Sequence, residues 1–190
     1  MTWSFKAEER EVSVYMDNLF TQDECNEIIR IGNENKKEEA GMSADLYVDK
    51  EYRTTLVCWI DPNKDTAWIY DRISKFIVEA NDNFFKFKLF GFNEKLQFAE
   101  YNYPDGHYKK HVDWSKGNSV RKLSIVLQLT DPQEYEGGDL LLHYQEDPVY
   151  VTKRQGTATL FPSFLLHEVL PVTKGTRYSL AGWVTGDPFI

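Results

Sequence analysis

His111 and Asp113 stand two residues apart in the run HYKKHVDW. On an extended backbone, positions i and i+2 project to the same side, so an imidazole and a carboxylate there turn toward one point. Such a pair is either one corner of a metal site or an ordinary surface hydrogen bond. His167, in FPSFLLHEVLPV, adds a second imidazole at the start of an apolar β run, where a satisfied core histidine is the plain alternative. Taken together, two imidazoles and one carboxylate form the facial set that holds non-haem Fe(II) and leaves coordination positions open. A tetrahedral zinc hydrolase uses the same three donors, so they do not choose the metal by themselves.

Arg177 follows ten residues after His167, in TRYSLAGWV. Arg177, Ser179, Ala181 and Trp183 share one strand parity, while Tyr178, Leu180 and Val184 share the other, which describes a strand buried on both faces. A guanidinium inside a barrel costs several kcal/mol unless an anion neutralises it. That anion is either an acid from another strand, as a structural salt bridge, or a ligand carboxylate gripped in the planar fork. The two readings differ in whether the cation belongs to the fold or to a site.

The elements that must position these groups follow from pattern. Thr21 and Glu24 make a capping-box signature ahead of Cys25, Ile28, Ile29 and Ile31, predicting a helix over 21–36. Trp68, Ile69, Ile73, Phe76, Ile77, Ala80 and Phe84 repeat with a period near 3.6 and predict a second helix over 65–84. From Leu96 onward the chain reads as short strands, LQFAEYNY, RKLSIVLQLT, GDLLLHYQ, PVYVTK, TATLF, LHEVLPV and RYSLAGWV, divided by turn-rich pieces such as PDG and DPQEYEGG. Helices first and strands afterwards indicate an α+β fold, with a jelly-roll core buttressed by the N-terminal helices.

Composition narrows the classes further. The 190 residues are 42% hydrophobic and 15% aromatic, which describes one folded domain over 1–190 and excludes a disordered chain. No apolar run is long enough to cross a membrane, and MTWSFKAEEREV carries no apolar stretch after a basic cluster. With Cys25 and Cys58 as reduced thiols, a cytoplasmic setting is expected. The net charge of −8 opposes general binding to phosphate backbones, so nucleic acid is not an expected partner. The acid is unevenly spread: residues 86–122 hold 4 acids and 8 bases and residues 150–190 hold 2 and 4, so both ligand-bearing segments are net positive. Local charge there favours a dicarboxylate despite the global sign.

The order HVD, then His, then RYS resembles the 2-oxoglutarate and Fe(II)-dependent dioxygenases, specifically their prolyl-4-hydroxylase-like group. YPDGHYKKHVDW is similar to that group's Tyr-x-x-Gly, Tyr, His-x-Asp run, EGGDLLLH to its Gly-Gly strand, and LFTQDECNEII to its opening helix, so the likeness spans about residues 15–186. The resemblance implies a double-stranded β-helix, Fe(II) bound by His111, Asp113 and His167, and 2-oxoglutarate and O2 as cosubstrates, with ascorbate as an accessory. It implies that Arg177 holds the distal carboxylate of 2-oxoglutarate with Ser179 as helper, and places Tyr103 and Gln128 at cosubstrate-contacting positions. Many collagen-type members carry lysine where this chain has Arg177, and arginine resembles the oxygen-sensing and bacterial members. Halogenating relatives replace the residue matching Asp113, so hydroxylation with release of succinate and CO2 is the implied outcome. Nucleobase demethylases usually have a second arginine six residues after the first, where this chain has Trp183.

The implied prime substrate is a prolyl residue in a peptide or protein, with a free amino acid or other small molecule as the alternative, and a non-enzymatic metal-binding jelly roll as a third reading. SADLYVDKEYRTT and SKGNSV are expected as loops over the barrel mouth. Tyr108, Trp114 and Arg53 are candidate substrate contacts, and Trp183, Leu140 and Leu142 candidate pocket walls.

Overall fold

The computed structural model describes residues 11–41, 49–114 and 120–187. The first half runs β1 (Val14–Met16), α1 (Gln22–Glu34), β2 (Glu38–Glu39), β3 (Arg53–Thr54), β4 (Leu56–Ile60) and α2 (Ala67–Ala80), and α2 continues into a π-helical turn, Asn81–Phe85. The second half runs β5 (Leu89–Phe92), β6 (Leu96–Asn102), β7 (His107–His111), β8 (Arg121–Gln128), β9 (Glu136–Gly137), β10 (Leu140–His143), β11 (Val149–Tyr150), β12 (Ala158–Pro162), β13 (Leu166–Val169), β14 (Val172–Lys174) and β15 (Thr176–Gly186). The capping box forms as the sequence predicts: Glu24 N–H donates to Thr21 Oγ1 and Thr21 N–H donates to Glu24 Oε2. The second predicted helix is α-helical over Ala67–Ala80, and its last four predicted residues, 81–84, fall in the π turn.

Two antiparallel sheets face each other. The larger has the order β1-β12-β8-β15-β6-β4-β2 with β5 joined to β15, and the smaller has the order β11-β10-β13-β7-β3. This double-stranded β-helix is the expected jelly roll. The expected segregation of helices before strands is not what forms, because β4 pairs with β6 over Leu56 to Ile60 in the middle of the helical half. LVCWI is five residues long and is closed by the turn residues Asp61, Pro62 and Asn63, a short apolar run whose pairing with β6 makes it a strand.

Strand parity divides the apolar residues between two cores. Ile28, Ile69, Ile73, Phe76 and Ile77 from the helices pack on Leu96, Phe98, Leu123, Leu127, Leu160 and Leu180 of the larger sheet. The helices therefore cover the outer face of that sheet and fix its curvature. Gly32 permits the close approach of α1, since a Cβ there would stand 2.5 Å from the Phe98 ring. Tyr101, Leu140, Leu142, Phe161, Val169 and Val172 form the second core between the sheets. The inner face of β15 then turns Arg177, Ser179, Ala181 and Trp183 into a cavity of about 1010 Å³, as the sequence parity requires.

Candidate active site

His111 and His167 are register partners across the β7–β13 pair, and their ring centroids lie 4.1 Å apart. Asp113 lies two residues past His111, where β7 has ended, and its backbone is pinned from outside: the N–H groups of Asp113 and Trp114 both donate to the Ser163 carbonyl at 2.9 Å. The donor atoms of His111, Asp113 and His167 lie within 4.8 Å of one another. Each imidazole has its Nδ1 against a carbonyl oxygen, Lys109 O for His111 and Leu165 O for His167, both at 2.8 Å. A carbonyl only accepts, so Nδ1 carries the hydrogen and Nε2 is left as the donor to a metal. The Nε2 atoms of His111 and His167 stand 3.9 and 3.5 Å from the Asp113 carboxylate, too far to be spent on hydrogen bonds.

Electrostatics favours the metal-binding protonation states. Burial, helped by the neighbouring His167, pushes the His111 imidazole down to about 3 against the opposing pull of Asp113. For Asp113, burial works to raise the carboxyl, but the imidazoles of His167 and His111 and a 2.6 Å hydrogen bond from Ser124 Oγ outweigh it and hold it below the usual range. Ser124 Oγ lies 3.0 Å from Ser163 Oγ, so the residue that anchors the Asp113 backbone also positions the hydroxyl on its side chain. The other two histidines are engaged in the scaffold. His143 pairs with Glu168 at 2.9 Å, and His107 sits between the carbonyls of Asp105 (2.7 Å) and Glu51 (3.2 Å).

Arg177 is 1% exposed and faces the same cavity. Its partners are neutral: Nη2–H donates to Gln128 Oε1 at 3.0 Å, Nη1 lies 3.4 Å from Ser179 Oγ, and the guanidinium lies 5.1 Å from the Tyr101 ring centroid. Register explains this set, because Tyr101 opposes Arg177 on β6 and Gln128 opposes Ser179 on β8. Burial raises the Tyr135 phenol above its ordinary range against the pull of the Arg177 guanidinium beside it. Gly138, at φ +62°, leaves room for the arginine stem, since a Cβ there would stand 3.0 Å from Arg177 Cδ. Among the described residues no carboxylate pairs with Arg177, and its buried Nε has no hydrogen-bond partner. The salt-bridge reading of this arginine fails, and the unpaired cation suits a ligand carboxylate.

The structure thus brings His111, Asp113, His167, Arg177 and Ser179 to one cavity, with Gln128 buried against Arg177. Tyr103 is not brought there. Strand β6 ends at Asn102, so the alternation that turns Tyr101 inward stops one residue short of Tyr103, which is 61% exposed. Tyr108, Arg53, Trp183 and Leu140 line the cavity; Leu142 lies in the core between the sheets, and Trp114 is not part of the lining. Residues 43–48 and 115–119 of the two expected lid loops lie outside the described residues. Ser124, Tyr101 and Tyr135 are site residues that spacing alone did not identify. Ser124 and Tyr101 carried a usable signal, since each is a polar or amphipathic residue at an inward parity of a predicted strand.

A jelly roll that closes on two imidazoles and one carboxylate, with an unneutralised guanidinium in the same cavity, offers a donor set suited to non-haem Fe(II) beside a place for a ligand carboxylate. Residues 96–185 match the family described as the 2OG-Fe(II) oxygenase superfamily. The match covers 90 of the chain's 190 residues. A PKHD-type hydroxylase of Picosynechococcus is 39% identical over 90 residues, 47% of this chain and 41% of the relative. A second, of Synechococcus, is 40% identical over 42% of this chain and 37% of the relative. The matched part therefore spans about two fifths of these curated relatives. Among solved structures, a prolyl-4-hydroxylase of Pseudomonas putida superposes with a TM-score of 0.73 at 22% identity, covering 93% of both chains. A Trichoplax adhaerens prolyl hydroxylase in complex with a hypoxia inducible factor peptide superposes with a TM-score of 0.79 at 17% identity, covering 92% of this chain and 84% of that one. These two likenesses establish the fold.

Proposed function

We propose that the protein is an Fe(II)- and 2-oxoglutarate-dependent dioxygenase that hydroxylates a prolyl residue in a peptide or protein. The observation that carries this reading is the unpaired Arg177 guanidinium facing the cavity of the His111, Asp113 and His167 donors. The three donors would hold a divalent ion, and iron bound there would supply the redox chemistry that couples decarboxylation of 2-oxoglutarate to insertion of one oxygen atom into a C–H bond. The balance is 2-oxoglutarate, O2 and R–H giving succinate, CO2 and R–OH. Arg177 grips the distal carboxylate with Ser179 Oγ beside it, and Gln128 holds the guanidinium in place from behind. Ser124 orients the Asp113 carboxylate, and Trp183 and Leu140 form walls that limit water.

The prolyl assignment is supported by the PKHD-type hydroxylase relatives and by the fold of the prolyl hydroxylases. A peptide substrate accords with the Trichoplax enzyme having been captured with one. Among the described residues no helix is long and apolar enough to cross a membrane; we place the enzyme in the cytoplasm, where Cys25 and Cys58 stay reduced. Two measurements test the reading. Addition of 2-oxoglutarate to the anaerobic Fe(II) protein should produce a visible metal-to-ligand charge-transfer band. Mass spectrometry should then find the gain of one oxygen on proline in a panel of proline-containing peptides. No band refutes the chemistry, and a band with no oxygen gained on any peptide refutes the substrate class.

A further inference from the structure

The cavity contains a second buried cation that the chemistry above does not use. Arg53 on β3 is 8% exposed and lines the same cavity as the three donors and Arg177. Its side chain makes one hydrogen bond to protein among the described residues, from Nη2–H to the neutral Gln97 Oε1 at 3.0 Å. The guanidinium lies 4.3 Å from the centroid of the Tyr108 ring, and that ring stacks on His111 with centroids 3.5 Å apart. Arg53 Nε is buried with no partner, and among the described residues no carboxylate lies within ion-pairing distance. The other cavity arginine shows what a structural cation looks like here: Arg121 is neutralised by a two-pronged pair with Glu94 at 2.6 and 2.7 Å.

A buried guanidinium with unsatisfied N–H groups is costly unless an anion completes it. Arg177 on the larger sheet already accounts for the distal carboxylate of 2-oxoglutarate, whereas Arg53 belongs to the smaller sheet, over the Tyr108 ring that stacks on His111. We propose that Arg53 binds a carboxylate of the prime substrate, so that the enzyme selects an acid next to the residue it hydroxylates. This rests on the oxygenase reading given above. The carboxylate has two sources of the same chemistry: an Asp or Glu side chain adjoining the proline in a peptide, or the α-carboxylate of a free or C-terminal proline.

Matched acid and amide probes separate the two sources. The pairs are a blocked peptide with Glu beside proline against the same peptide with Gln, N-acetylproline against N-acetylprolinamide, and proline against prolinamide. Binding is read by tryptophan fluorescence in the Zn(II)- and 2-oxoglutarate-loaded protein, which does not turn over, using Trp59 and Trp183 of the cavity wall as reporters. At least one acid should bind roughly 10- to 100-fold tighter than its amide, the preference expected of a charge-assisted pair. In Arg53→Gln that preference should fall to within about threefold, and Arg53→Lys should retain part of it. The pair that responds identifies the source. The proposal is overturned if no pair discriminates, if discrimination survives Arg53→Gln, or if Arg53→Gln weakens 2-oxoglutarate itself. Should Arg53→Gln not fold, the Lys variant carries the test, since a preference unchanged from wild type would count against fork-like recognition. Failure of the oxygenase reading is visible separately, as absence of the charge-transfer band in the Fe(II) protein.

Discussion

Replacement of Arg177 by Met should uncouple stability from cosubstrate binding. The stem of Arg177 packs where Gly138 leaves room for its Cδ, and Met fills that volume without the charge. In the metal-loaded protein without 2-oxoglutarate, the variant should be within about 1 kcal/mol of wild type, because what is lost is a buried cation held among the described residues by neutral groups, Gln128, Ser179, Tyr135 and the Tyr101 ring. With 2-oxoglutarate at about 100 times its dissociation constant, wild type gains about 2.7 kcal/mol, which for a domain of this size is a rise in Tm of about 8 °C. Charge-assisted hydrogen bonds to one carboxylate contribute about 1.5–3 kcal/mol each, so their loss should weaken binding by at least about 100-fold. At the same concentration the ligand then adds about 0.4 kcal/mol, and the shift should shrink to about 1 °C. The assay is thermal unfolding of anaerobic Fe(II) or Zn(II) protein, with and without 2-oxoglutarate. A variant that keeps the full shift would refute the assignment of Arg177 to the cosubstrate. A variant destabilised by more than about 3 kcal/mol before ligand is added would refute the claim that its charge is uncompensated.

Three further outcomes follow from the same geometry. His111→Ala and Asp113→Ala should abolish 2-oxoglutarate turnover and metal retention, seen as loss of bound metal after dialysis, while circular dichroism shows the β fold unchanged. Ser124→Ala removes the 2.6 Å donor to Asp113 and should weaken metal binding about 10- to 100-fold in a chelator competition, leaving the cosubstrate's dissociation constant in metal-saturated protein close to wild type. Thr21→Ala breaks one half of the capping box on the far side of the larger sheet; it should cost about 1 kcal/mol in urea unfolding without altering metal affinity.

Residues close in sequence, or of matched strand parity, could be read directly. His111 and Asp113 are separated by one residue, and the inward face of Arg177, Ser179, Ala181 and Trp183 follows from period two alone. What pattern could not supply was register between distant strands. Ser124 reaches Asp113 because the Ser163 carbonyl pins the loop after β7 while its hydroxyl meets Ser124 from the neighbouring strand, and neither contact has a local signature. Tyr103 misled for a related reason. It shares parity with Tyr101, but parity carries information only while the strand lasts, and β6 stops at Asn102. Arg53 was recognised as a recognition-type side chain, yet its burial depends on the pairing of a two-residue strand with Tyr108, which no propensity would predict.

Charge accounting in the cavity links these points. A divalent ion on the triad and the Asp113 carboxylate leave one net positive charge; Arg177 and Arg53 raise it to three, while Arg121 and Glu94 cancel each other. Under the proposed function, the dianion 2-oxoglutarate would remove two of these. One positive charge remains beside the donors, on the Arg53 side, and burial makes an uncompensated charge there expensive. A neutral substrate would leave that cost standing, whereas a substrate bearing a single carboxylate would bring the cavity to neutrality. The chain as a whole carries −8, so the positive balance of the cavity is a local arrangement and not a consequence of composition. Raising the ionic strength should therefore weaken capture of an acidic probe on Arg53, which is 8% exposed, more than it weakens 2-oxoglutarate held on Arg177, which is 1% exposed, and equal salt sensitivity of the two would contradict this division of labour.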